Sequence, residues 1–571
     1  MKKFWEKNSL GKVLSILLVL ALILSWIIPV GSFNGSEFVD QGVLRIGIAD
    51  IGNMLYYVIA MAIDKILFLL ALGAFYGLLT KMPAYQKIVT TIAKKLKGKE
   101  IIFTVLISLF LTVFTSLSSS VYASLIFVPF TINILSNMKL DKISALVSTF
   151  GSILIGILGA TFGTEGLYWL NYYLANTAAV DFMKDGIIYR VIILVVGLLL
   201  FNFFTITHMK KSLKSKKNEA IEDLYEVNEV KGKVRTWPMI VILALVALFT
   251  ILGFIRWNES FGIEIFDNFH TWLTELTIGK DATIFSYILG SSAAALGSSD
   301  FSLFTMISVL LFFGVILAIM SRFDFEKVIS SIGDGIKKIG KPVLVLSIAY
   351  TVFTVFYLSP MMNTIVSTLM PVDGKPNINI DYNGSGIAYF NIDTDNDGKA
   401  DKNLVSTKDN CKVNCDTNND GYPDKNLDFD GNGKVDENDE NILDSFDKES
   451  VTNMDVDGDG LPDVNVDTDF SVAGAVLSSF ISSIFHLDLN YTAYSISSYM
   501  VSGFGANLSV LFIILLTMFG FAQFIVPTSA ILIIGLAYTN VEYKTWVKYI
   551  WKFLVGMLVC LLAVYLLMFY L

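Results

Sequence analysis

The chain has 571 residues, 54% of them hydrophobic, with a mean hydropathy of +0.62 and a formal net charge of −9 at pH 7. Apolar runs of bilayer-spanning length recur along it, which excludes an ordinary soluble multidomain protein. Three histidines in all, and no HExxH, GxSxG or P-loop pattern, speak against an enzyme and against nucleotide-driven transport.

The first apolar run, Val13–Val30, follows a basic stretch, MKKFWEKNSLGK. Pro29-Val30-Gly31-Ser32-Phe33 lacks a small-residue cleavage pattern, so the run reads as a retained helix and not as a signal peptide. Further runs are Ile187–Thr207, Met239–Ile255, Phe301–Met320, Val343–Leu358, Leu508–Val526 and Phe553–Leu571. Basic loops set orientation. The N-terminus, residues 81–100 with six lysines, residues 208–237 and residues 321–341 are all basic and are expected in the cytoplasm. The C-terminus then falls outside. The expected organisation is a first membrane half, 1–236, with a cytoplasmic linker over 208–236. The first part of a second half covers 237–370, and an extracellular insert 371–470. An outer hairpin with the C-terminal helices, 471–571, completes the second half.

The insert carries the acidity. Between Pro371 and Phe470 there are 25 Asp and Glu against 8 Lys, and the remainder of the chain is mildly basic. Aspartates alternate and are closed by glycine in three copies: Asp393, Asp395, Asp397 and Asp401; Asp416, Asn418, Asp420 and Asp424; Asp455, Asp457, Asp459 and Asp463. A loop of EF-hand length offers Asp428, Asp430, Asn432, Asp436 and Asp439, with Asp where a bidentate Glu would bind more tightly. Alternation turns successive carboxylates onto one point, as Ca²⁺ ligation requires. The rival reading is an acidic spacer that stays disordered without the ion. Cys411 and Cys415 lie in the same segment and suit a disulfide in an oxidising compartment. The copies resemble thrombospondin type 3 repeats, and the longer loop resembles a dockerin-type loop.

The membrane body repeats itself: residues 70–119 look like residues 310–360. Each half also has apolar pattern breaks where a spanning helix should have none. Ser116, Ser118, Ser119 and Ser120 interrupt one run, and GILGATFGTEG, containing Thr161, Gly163 and Thr164, interrupts the next. In the second half His486, Asp488, Asn490 and Thr492 lie between two short apolar limbs, and Gln523, Pro527, Thr528 and Ser529 interrupt a later run. Irregular backbone at membrane depth persists where protein buries it or where it lines a wet cavity. Half-helix N-termini and hydroxyls suit a carboxylate there, and exposed carbonyls suit Na⁺. Asp64 and Lys65, adjacent in sequence, are set aside as interfacial.

SWIIPVGSF, LGAFYGLLTKMPAYQKIV, IVPTSAILIIGLA and YKTWVKYIWKF together resemble the YfcC-type carriers, grouped with the C4-dicarboxylate anaerobic carriers in the ion transporter superfamily. The resemblance covers nearly all of the chain outside 371–470. It implies an all-α polytopic fold of inverted repeats, each with a re-entrant hairpin and a broken helix, in a mobile transport domain beside a scaffold, often as a homodimer. By position, the hairpins fall at about 101–136 and 472–503, and the breaks at Gly159–Gly163 and Pro527–Ser529. The chain departs from the family where Gly159-Ala160-Thr161-Phe162-Gly163-Thr164 replaces a Gly-Ser-Thr-x-Asn-Pro pattern. It departs again where Gln523 stands for an Asn and where the outer tip reads His-Leu-Asp-Leu-Asn.

The expected function is a plasma-membrane secondary transporter for an amino acid or dicarboxylate, coupled to Na⁺ or H⁺ and elevator-like, with Ca²⁺ on the insert and no nucleic-acid partner. The alternative is a calcium-binding surface or adhesion protein for which the membrane part is an anchor.

Overall fold

The structure, a computed structural model, describes residues 9–34, 37–163, 167, 184, 186–214, 219–221, 224–277, 283–290, 293–370, 377–380, 389–392, 402–403, 464–467, 471–489, 491 and 508–570. Seven of its helices are long and apolar enough to cross a membrane. Large apolar side chains such as Ile59, Leu106, Leu199, Phe312 and Val559 stand exposed on them, as a lipid-facing surface requires. The protein is an all-α polytopic membrane protein.

Helix α1, Ser9–Leu24, leads through a hairpin of β1, Gly31–Asn34, and β2, Glu37–Asp40, into α2, Ile51–Leu79. The amphipathic α3, Pro83–Lys95, turns into α4, Glu100–Leu117, through Gly98, whose φ of +82° favours glycine. After α4 the chain reverses at 118–120 and returns as a 3₁₀ segment, Val121–Phe127, and α5, Val128–Asn137. The return is antiparallel: Phe110 and Phe114 both pack on Phe127, and Thr115 is hydrogen-bonded to Ser124. Helix α6, Lys142–Leu158, stops at Gly159, and α7, Ile187–Lys214, completes the first half.

In the second half α8, Trp237–Phe254, leads through the short helices Trp257–Phe261, Ile265–Glu275 and Ile284–Leu289 to α9, Leu303–Ser321, and α10, Phe325–Leu358. Where α3 and α4 are two helices, the corresponding stretch of α10 runs unbroken, with Pro342 inside it. Then come α11, Met361–Leu369, α12, Val472–Phe485, α13, Leu508–Ala522, α14, Ala530–Thr539, and α15, Tyr543–Tyr570.

Two groups of helices result. In one, α2 packs on α9 and α10, with α1 against α10. Glycines bring α2 and α10 into backbone contact: a Cβ on Gly77 would meet the Ser331 carbonyl oxygen at 2.4 Å, and one on Gly335 would meet that of Gly73 at 2.1 Å. The four-residue spacing of Gly73 and Gly77 is the small-residue pattern by which membrane helices approach closely. In the other group α4 packs on α6, α12 on α13, α13 on α6, and α7 on α15. Helix α14 lies in the seam, against α10 on one side and α6 on the other.

The insert is closed at its base. Strand β3, Asn377–Ile380, pairs antiparallel with β6, Val464–Asp467, so that Asn377 lies opposite Asp467. With β4, Tyr389–Ile392, and β5, Lys402–Asn403, they form one sheet in the order β5-β4-β3-β6. Entry and exit are therefore neighbours, and α11 and α12 pack together across the insertion, with room for no Cβ at Gly474 beside the Leu369 carbonyl. An excursion of about a hundred residues leaves the helices around it joined. The seventeen residues expected to ligate Ca²⁺, together with Cys411 and Cys415, lie outside the described residues. Among the described residues no cluster of three His, Cys, Asp or Glu is placed to hold a metal.

Candidate functional site

Each half contains a place where the end of one helix meets a break in a later one; of the hairpin expected at 472–503, residues 490 and 492–503 lie outside the described residues. In the first, α4 ends at Leu117 and α6 at Leu158, which leaves terminal carbonyls and amides without helical partners. Ser116 supplies most of them. Its Oγ donates to the Gly159 carbonyl at 2.8 Å and lies 2.9 Å from the Thr161 hydroxyl, while its carbonyl accepts from the amides of Thr161 and Gly163 at 3.1 and 3.0 Å. Gly163 is seated on the backbone of Leu117 and Ser118, where a Cβ would come within 2.2 Å of the Leu117 carbonyl carbon. The fully buried Arg190 donates to the Thr161 carbonyl at 2.6 Å, holding the break from the α7 side.

The remaining serines at this tip divide their roles. Ser118 Oγ donates to the Ser120 carbonyl at 2.8 Å, and the Ser119 amide donates to the carbonyl of Phe254 at the end of α8 at 2.7 Å. Ser120 faces a cavity. Thr164 lies outside the described residues.

The second crossing is equivalent in plan. Helix α12 ends at Phe485, and α13 gives way at Ala522 to an irregular stretch before α14. Thr528 Oγ1 donates to the Ile484 carbonyl at 2.6 Å, as the Thr161 amide does to Ser116 in the first half. Ser529 caps α14, accepting from the Leu532 amide. Pro527 fits the irregular stretch because no helical amide is required of it. His486 is buried with its ring edge-on to Phe353 of α10, 5.8 Å between centroids. Asn490 and Thr492 lie outside the described residues.

Between the crossings is a cavity of about 50 Å³, lined by Ser120 and Tyr122 from the first hairpin, Asp488 from the second, and Gln523 and Ala530 beside the second break. Asp488 is half-buried and accepts a hydrogen bond from Tyr350 of α10 at 3.2 Å. The Tyr122 hydroxyl and the Gln523 amide nitrogen, each on a side chain only 3% exposed, have no well-formed hydrogen-bond partner among the described residues. Buried groups in that condition cost stability unless something satisfies them.

Asp64 and Lys65 belong to this site. Thirteen residues of α2 precede Asp64 and fourteen follow Lys65, so the pair sits at the centre of the helix and not at an interfacial end. Lys65 Nζ is 3.0 Å from Asp64 Oδ2, and both are close enough to Asp488 to act on its charge. The sequence signal was present: two charges centred in a long apolar helix are functional candidates by position alone. Tyr122, Tyr350 and Arg190 carried no such signal, because an aromatic or an arginine near a run of apolar residues also reads as an interfacial anchor.

From this cavity, two further cavities follow one face of α14. Ala530 and Ile531 line the midspan cavity; Ile534 and Tyr538 line a constriction of about 10 Å³ with Leu72, Pro129 and Ile339. Ala537, Tyr538 and Asn540 then line a wide cavity of about 950 Å³ with Lys338 and Lys341. The spacing of three to four residues is that of one helix face. Over this opening lies the linker. Tyr225 is buried at 1% exposure beside Tyr76 and Tyr538; its carbonyl accepts from Asn133 at 2.8 Å and its hydroxyl donates to the Gly335 carbonyl at 3.3 Å. Asp141 caps α6 and pairs with His208 at 2.9 Å. Burial works against its charge, but the bonds from His208 and Ser144 outweigh it and hold the carboxyl below the usual aspartate range.

No protein-family model matches the sequence, and no curated protein matches it. Among solved structures it is similar to the YdaH transporter of Alcanivorax borkumensis, at 9% identity and a TM-score of 0.35 over 98% of this chain and 97% of that one. That score is too low for the likeness to establish a common fold.

Proposed function

We propose that the protein is a secondary carrier for a small carboxylate-bearing solute, an amino acid or a dicarboxylate. The observation that supports this best is the row of three cavities along α14, from a midspan cavity that Asp488 faces, between two helix breaks, to the linker face. An anchor for a surface domain has no use for such a row. At about 50 Å³ the midspan cavity is below the 300–1,000 Å³ typical of small-molecule sites. The conformation is thus a closed one, and loading requires α14 to move relative to α10. The Tyr122 hydroxyl and the Gln523 amide nitrogen, which have no well-formed partner among the described residues, and the helix N-terminus capped by Ser529 are the groups that would receive the solute's polar end.

In this reading the linker face is cytoplasmic and the acidic insert extracellular, where its Asp-x-Asp-x-Asp-Gly loops bind Ca²⁺; the protein works as a homodimer in the plasma membrane. The test is counterflow of labelled amino acids and dicarboxylates in vesicles holding the full chain. Ile534→Trp, which fills the constriction, abolishes uptake if the row of cavities is the route. Uptake unchanged in that variant refutes the route, and no uptake of any solute by folded wild type refutes the carrier.

A further inference from the structure

We propose that Asp488 is a proton-binding site, its charge balanced against the Asp64–Lys65 pair, and that it supplies the coupling ion of the carrier. This deepens the carrier reading and rests on it.

The argument begins with a charge count. Asp64 and Lys65 neutralise one another at 3.0 Å, which leaves Asp488 as one net negative charge in the middle of the helices. Arg190, fully buried, is held at the first crossing on the Thr161 carbonyl, and Arg256, also buried, pairs with Glu259 at 2.7 Å. His486, two residues away, packs on Phe353 and does not line the cavity. A lone carboxylate at membrane depth is costly and is relieved by a cation or by protonation.

The surroundings favour the proton. The groups facing Asp488 are Asp64 and Lys65 from α2, Tyr350 from α10 and Tyr122 from the 3₁₀ segment, with Tyr491 beside Tyr350. The Lys65 ammonium repels a metal ion but not a neutral acid. Beside Ser120, Tyr122 and Gln523, the rest of the cavity wall includes Leu487, Leu489, Leu516 and Phe519, so the oxygen ligands beyond Asp488 itself are few and neutral. A proton needs no coordination shell. Asp488 Oδ2 is engaged by the Tyr350 hydroxyl at 3.2 Å, so the proton, taken from water in the cavity, bonds to Oδ1 and converts the carboxylate to the neutral acid. About 50 Å³ is room for a water to deliver it. The tyrosine and the carboxylate belong to opposite helix groups, α10 and the second hairpin, so protonation weakens a bond that spans the seam. That is the link between the proton and movement.

The experiment is acid–base difference infrared spectroscopy on the full chain in vesicles, with the proton itself as probe. Wild type should show a protonated-carboxyl band on acidification that is lost in Asp488→Asn, a variant that keeps the shape and an acceptor for Tyr350. Tyr350→Phe should move the midpoint of that band by about two- to tenfold in proton concentration, the range that one hydrogen bond implies. A band of full amplitude in Asp488→Asn, or an unmoved midpoint in Tyr350→Phe, overturns the proposal. Counterflow in the same vesicles separates the two readings. A band specific to Asp488 without transport of any solute keeps the proton site and ends the carrier. Transport without that band does the reverse.

Discussion

The two crossings share a plan and differ in completeness. At the first, one residue, Ser116, closes the gap with its hydroxyl and carbonyl, and Gly163 seats backbone on backbone. At the second, Thr528 makes the corresponding bond, but among the described residues the Tyr122 hydroxyl and the Gln523 amide nitrogen find no well-formed partner and a carboxylate faces a cavity. A repeated architecture can thus be spent unequally. The first copy is closed on itself, and the second leaves polar groups beside a cavity.

That contrast can be broken by removing charge from the open side. Lys65→Met leaves two carboxylates facing one another without a cation and should destabilise the protein by about 3–5 kcal/mol, with Asp64→Leu in the same chain restoring most of it. Thermal unfolding in detergent reads both; a mild effect of Lys65→Met would mean that the charges are solvated and not mutually dependent. On the closed side, Gly163→Ala should cost about 1–3 kcal/mol by overpacking on Leu117 and Ser118. If that variant is as stable as wild type, the first crossing is not the rigid one.

Thr528→Val should cost about 1 kcal/mol, one hydrogen bond, against a larger loss for Ser116→Ala, whose hydroxyl contacts two groups. Equal losses would erase the distinction between the crossings. The smallest expected effect lies at the base of the first half. The folded-state affinity of Asp141 for its proton is depressed, so its contribution is present above the ordinary aspartate range and is lost as pH falls through the lower folded value. The unfolding temperature of wild type should therefore drop on the acid side, and Asp141→Asn should flatten that arm of the profile.

Both crossings are legible in the amino-acid sequence. Serines inside an apolar run, GATFG after a helix and PTS within another mark breaks because regular spanning helices do not interrupt themselves with such residues. The tight base of the insert is not legible, since NINI and VNVD are separated by more than eighty residues and pair only once the helices bring them together. Asp64 and Lys65 are misplaced by sequence reasoning because adjacency suggests an end, whereas depth is set by where α2 sits against α10. Gly73 and Gly77 read as filler in a long run until a second helix lies on them. Tyr225 is hidden in a stretch whose composition is that of a polar connector.

That tyrosine sets a mechanical condition on the whole molecule. Its carbonyl is tied to Asn133 on α5 and its hydroxyl to Gly335 on α10, with the ring wedged between Tyr76 and Tyr538. It works as a bolt shot through two plates. Any sliding of α5 and α14 past α2 and α10 would first have to draw the ring out.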